Sequence, residues 1–173
     1  MGLTLDSKRS SIRIRTFAEG LFSRLAHDLE LVCRDVSGTG SFEDGSCTLR
    51  VPVRSIDVVG TLKHGTVDSG ALSPSEREDI LGKMRREVFH DGDIVTVEAK
   101  MGEPVKVSSP KGKTAEGSAR HVSSKDPDGC VHVKGQLELS LNALGSDPVK
   151  GPMNAFRVKD NVEVHFDVVF QPA

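Results

Sequence analysis

Apolar and polar residues alternate with period two along most of this chain. Val162, Val164, Phe166, Val168 and Phe170 fall on one face of the C-terminal stretch, with Glu163, His165 and Asp167 on the other. Between residues 131 and 141, Val131, Val133, Leu137, Leu139 and Leu141 oppose His132, Lys134, Gln136, Glu138 and Ser140. Shorter runs repeat the pattern at Ile12 and Ile14, at Leu29, Leu31 and Cys33, at Cys47, Leu49, Val51 and Val53, and at Val95, Val97, Ala99 and Met101. Successive side chains of a strand point to opposite faces, so one apolar and one wet face predicts an antiparallel sheet. Asp44-Gly45 and Asp128-Gly129 are hairpin signals between such runs. Gly38 and Gly40 interrupt a strand pattern where a sheet would curl. Six or more strands joined this way predict a barrel or a sandwich.

One segment has the helical period instead. Ser73-Pro74-Ser75-Glu76 combines a capping box with proline at the first helical position. Ile80, Leu81, Met84 and Val88 follow at helical spacing, and Lys83, Arg85 and Arg86 lie where cations suit the helix dipole. The spacing predicts an amphipathic helix over about 73–88 that covers one mouth of the barrel. A short helical turn is expected over 19–26, with Leu21, Phe22 and Leu25 on one side. The stretch 109–129 holds only Ala115, Ala119 and Val122 as aliphatic residues, and is expected to be an exposed hairpin or mobile loop, with room for a short edge strand around Arg120, outside any binding site.

The length of 173 residues fits one domain, 1–173. Valine outnumbers leucine, which favours strands. A net charge of −2 gives no field to steer the protein to nucleic acid, and the absence of Trp and Tyr removes a base-stacking platform. No apolar run is long enough to span a bilayer as a helix. The N-terminal stretch lacks the apolar core of a signal peptide, so a cytoplasmic location is expected. Cys33, Cys47 and Cys130 have no CxxC spacing and read as free thiols.

Candidate chemistry is sparse. His64, His121, His132 and His165 fall in loops or on polar strand faces, without HxH or HExxH spacing, so no metal site is expected. His27-Asp28 and His90-Asp91 stand at junctions where capping or local hydrogen bonding competes with ligation. No nucleophile elbow or phosphate-binding glycine loop is present, and no catalytic residue or cofactor is assigned.

Three segments in order resemble the YceI-like family of lipid- or polyisoprenoid-binding proteins: GLFSRLAHDLELVCRDVSGTGSFEDG, LSPSEREDILGKMRREVFHDGDIVTVEAK, and VHVKGQLELSLNALGSDPVKGPMNAFRVKDNVEVHFDVVF. They span roughly residues 4 to 170. The phrase HDGDIVTV after the helix lacks the family's proline and strand aromatic, which marks a divergent member. The resemblance implies an eight-stranded, antiparallel, lipocalin-like barrel that binds one long apolar chain, such as a polyisoprenoid or isoprenoid quinone, without catalysis. If such a barrel is hollow, its walls come from Leu29, Leu31, Leu49, Val51, Val97, Leu139 and Phe166. The helix adds Ile80 and Met84, and Phe17 and Phe22 stand near the mouth. His27 is the polar group placed at the rim to bond a headgroup oxygen; its alternative role is to tie the turn to the next strand. The expected partner is thus an apolar, lipid-like small molecule, with a second copy of the chain as a further candidate. Two other readings stay open: a filled barrel that acts as an interaction module, and a small-molecule enzyme that uses His27.

Overall fold

The computed structural model describes residues 2–20 and 26–173. The alternating runs form strands β1 (Gly2–Leu5), β2 (Ser11–Thr16), β3 (Ala18–Glu19), β4 (Asp28–Cys33), β5 (Ser37–Ser41), β6 (Ser46–Pro52), β7 (Ile56–Lys63) and β8 (Thr66–Asp68). After the helix come β9 (Ile94–Lys100), β10 (Val105–Ser108), β11 (Thr114–Gly117), β12 (Arg120–Lys125), β13 (Val131–Ser140), β14 (Arg157–Val158) and β15 (Asn161–Pro172). Thirteen of these make one antiparallel, barrel-like curled sheet, and β3 pairs with β14 in a separate two-stranded piece.

This differs from the expected eight-stranded barrel. Long strands are broken where the sheet bends. Residues 6–10 interrupt β1 and β2, which pair with two different stretches of β15. A single turn at Val53–Ser55 separates β6 from β7. β11 pairs with β10, whereas β12 pairs with β13. The sheet changes partner at each break, which lets it curl more tightly than an unbroken ladder.

The inward faces follow the alternation. Val133, Leu137 and Leu139 of β13 stand opposite Val168, Val164 and Val162 of β15. The Asp44-Gly45 turn closes the β5–β6 hairpin, with Gly45 at φ +63, the left-handed region that glycine enters without a Cβ clash.

Helix α1 (Pro74–Lys83) begins at Ser73, whose side chain and backbone exchange both bonds of a capping box with Glu76. It continues as a wider π turn over Met84–Val88, so the expected span of 73–88 is helical in two parts. Leu81 and Val88 are buried, and Ile80 and Met84 are half-buried against the core.

One expectation falls largely outside the described residues, and another holds only in part. Of the proposed helical turn at 19–26, Glu19 belongs to β3, where its carboxylate meets Arg157 Nε at 2.7 Å, and residues 21–25 lie outside the described residues. The stretch 109–129 is exposed only in part: β12 is the exposed edge strand expected around Arg120, whereas β11 is packed on one face. Ala115 of β11 is only 1% exposed. The few apolar groups there are small because β11 packs directly on β13.

One polar face also departs from its pattern. Glu30 is on the outer face of β4 yet 1% exposed, covered by Arg13 (2.8 Å) and Arg15 (3.1 Å) from the neighbouring β2. Their guanidinium groups satisfy the carboxylate and their stems shield it.

Candidate functional site: an apolar cavity through the sheet

The curled sheet encloses a cavity of about 1270 Å³. Ordinary ligand pockets measure about 300–1,000 Å³, so this space is large. Because alternate residues of each strand point inward, the wall is built from the apolar faces. Leu29, Leu31, Leu49, Val51, Val97, Leu139 and Phe166 line it, and Ile80 and Met84 line it from the helix side. His27 stands at its edge, exposed. Ten of the twelve residues expected around a ligand are therefore brought together.

Phe17 is not. It does not line the cavity, and its carbonyl accepts the Lys159 N–H at 2.7 Å beside the β3–β14 pair. Ile12, Ile14, Thr16 and Ala18 line the cavity at every second position, so Phe17 falls on the outward side of that alternation. Phe22 lies outside the described residues. Several wall residues were missed: Ile12, Ile14 and Val164 belong to runs already recognised as alternating, whereas Ala119 and Phe156 carry no periodic signal. Ala119, Ser118 and His121 also line the cavity, so the stretch once expected to lie outside the site contributes to its wall.

Polar side chains on the wall gather at two edges, Thr16 and two thiols aside. Cys33 and Cys47 face the interior, where burial pushes the Cys33 thiol up to about 12 and raises Cys47 as well. Neither is a nucleophile at neutral pH. The first edge carries His27, then Glu76, Asp79 and Lys83 at successive positions of one α1 face, then Arg86 and Lys150. Lys83 Nζ donates to the Lys150 carbonyl, which ties α1 to the segment before β14. Acceptance of the Ser73 backbone N–H holds the Glu76 carboxyl below the usual carboxylate range, with a smaller contribution from the charge of His27.

The second edge is formed by Lys100–Pro104, between β9 and β10, and by Ser118 and His121 near the start of β12. At the same end Lys125 stands 4.1 Å from the Phe42 ring centroid, joining β12 to the β5–β6 turn.

Three histidines elsewhere make local bonds. His132 pairs with Asp126 at 2.8 Å, His165 with Glu163 at 2.9 Å, and His90 Nε2 lies 2.8 Å from the Gly145 carbonyl oxygen. Asp28 caps locally, accepting the Ala18 N–H at 2.9 Å. Among the described residues, no group of three or more His, Cys, Asp or Glu is placed to hold a metal ion, and no helix is long and apolar enough to cross a membrane.

No protein-family model matches the sequence, and no curated protein matches it either. Among solved structures, BcnA from Burkholderia cenocepacia, a YceI-like protein of lipocalin fold, superposes with a TM-score of 0.61. The alignment covers 95% of this chain and 98% of BcnA at 14% identity. At that identity the likeness concerns architecture: the two chains share a mainly β, barrel-like, lipocalin-type fold over nearly their whole lengths.

Proposed function

We propose that this protein is a divergent YceI-like carrier that holds one long-chain amphiphilic lipid, such as a polyisoprenoid or isoprenoid quinone, inside the sheet and performs no catalysis. The observation that carries the reading is the cavity itself, about 1270 Å³ with an aliphatic wall and charged groups at its edges. Each methylene moved from water onto such a wall contributes about 0.8 kcal/mol, so a long chain gains affinity without any specific polar contact. An apolar headgroup-free tail fits the middle, and the first edge offers both hydrogen-bond donors and acceptors to a head. His27, Lys83, Arg86 and Lys150 are the donors at that edge.

The size of the space favours this reading over a filled interaction module, because dense cores leave few voids larger than a water molecule. The enzyme reading rests on His27 alone, and demands an activity that His27→Ala abolishes.

Mass spectrometry of an organic extract of the purified protein tests the proposal. A stoichiometric lipid is expected. An empty extract, together with no uptake of added solanesol or ubiquinone, overturns it.

A further inference from the structure

The two edges of the cavity lie at opposite ends of the sheet. β9 links them: it starts at Ile94 opposite Pro52, beside the corner that follows α1, and ends at Lys100 opposite Ser46. Seven extended residues cover about 23 Å. At the far end Met101, Glu103, Pro104, Ser118 and His121 all line the cavity and are all exposed, so the space reaches solvent there.

The opening has a cause in the strand pairing. β11 follows β10 only as far as Gly117 opposite Val105. Beyond that point β10 gives way to the 101–104 turn, and the chain diverges as β12 to pair with β13. Among the described residues β12 has no strand on its other side. The sheet therefore gapes between the edge of β12 and the β9–β10 turn.

We infer that the cavity, as the described residues outline it, is a tunnel open at both ends, without a floor that measures chain length. It accepts linear amphiphiles longer than the sheet is deep, with the head at the α1 edge and the tail emerging between Ser118–His121 and Met101–Pro104. This rests on the carrier reading and extends it to a ligand class. A closed cup rejects a chain one unit too long, because its end would have to displace packed side chains. A tunnel lets that end pass into water beside the exposed Met101, which loses further gain but meets no obstacle.

Native mass spectrometry with a ladder of primary alcohols, from dodecanol to triacontanol, tests the inference. Affinity is expected to climb by about fourfold per added methylene while new methylenes are buried. It then levels off and stays level for the longest members. A fall of about tenfold or more just beyond the best binder overturns the tunnel while leaving the carrier reading intact. Failure of every alcohol to bind overturns the carrier reading and the tunnel with it. A long alcohol ending in a photoreactive diazirine adds a positional readout. Crosslinks on 101–104 or 118–121 are expected, and crosslinks confined to 74–88 overturn the inference.

Discussion

Gly117 on β11 lies so close to β13 that a Cβ built on it would stand 2.5 Å from the Glu138 carbonyl oxygen and 2.8 Å from Leu137 Cδ1. The oxygen cannot retreat easily, since Glu138 is held in register with Glu163 of β15. Only a hydrogen fits between the strands. Gly117→Val is therefore expected to destabilise the protein by about 1–3 kcal/mol, the usual cost of overpacking, read from urea denaturation. A change near zero would mean that β11 stands away from β13.

The helix cap makes a separable prediction. Ser73 Oγ accepts the Glu76 N–H at 3.2 Å, and the Glu76 carboxylate accepts the Ser73 N–H at 2.7 Å. Ser73→Ala should cost about 1 kcal/mol in the same denaturation assay. The Glu76 carboxyl is held below its ordinary value of 4.5, chiefly by that backbone N–H. A depressed folded value means that this contribution is complete above the ordinary value and disappears as the pH falls through the lower one. Hydrogen exchange across an acid series should show the Ser73 amide losing protection there in the wild type, and less pH dependence in Glu76→Gln.

Filling the cavity should separate binding from folding. Val51 and Leu139 are buried wall residues on opposite parts of the sheet. Val51→Phe and Leu139→Phe are expected to lose long-chain ligands while costing no more than about 1–3 kcal/mol, because the ring has open space to enter. Calorimetric unfolding and native mass spectrometry check the two halves. Severe destabilisation with undiminished binding would place the ligand elsewhere.

The three thiols report occupancy without any engineered probe. Cys33 and Cys47 line the cavity with raised thiol values, so their alkylation by N-ethylmaleimide should be slow at neutral pH and accelerate as the pH rises. Cys130 lies off the wall, with Arg9 Nη1 3.8 Å and Asp128 Oδ2 3.6 Å from its sulfur. Loading with a long alcohol is expected to protect Cys33 and Cys47 and leave the rate at Cys130 unchanged. Equal protection at all three would indicate a general tightening of the fold.

The inward faces of β13 and β15 were legible because ten consecutive pairs in register keep the two-residue period. The breaks were not, since a strand that changes partner keeps the same two-residue period on either side of the bend. Low apolar content hid β11, where Ala115 and Gly117 must be small to approach β13. Alternation with Leu29 and Leu31 puts Glu30 on the outer face of β4, but it carries no information about two arginines on the next strand folding over it. The wall residues were readable for the same reason as the strands. Whether the space between them is hollow was not, because a packed barrel and an open one share one inward pattern.

Where β4 meets β7 the register slips: Glu30 pairs with Gly60 but Leu31 pairs with Val58, leaving Val59 as an extra residue. Arg77 of α1 reaches into this bulge, with Nη1 2.6 Å from the Val58 carbonyl oxygen and both Nη atoms 3.4 Å from that of Val59, and it also donates to Ser69. A defect in the ladder has thus become the anchor of the helix. The helix and the bulged strand belong to one cooperative unit, so α1 breathes only when β7 does. Its amides and those of β7 should share a single opening free energy.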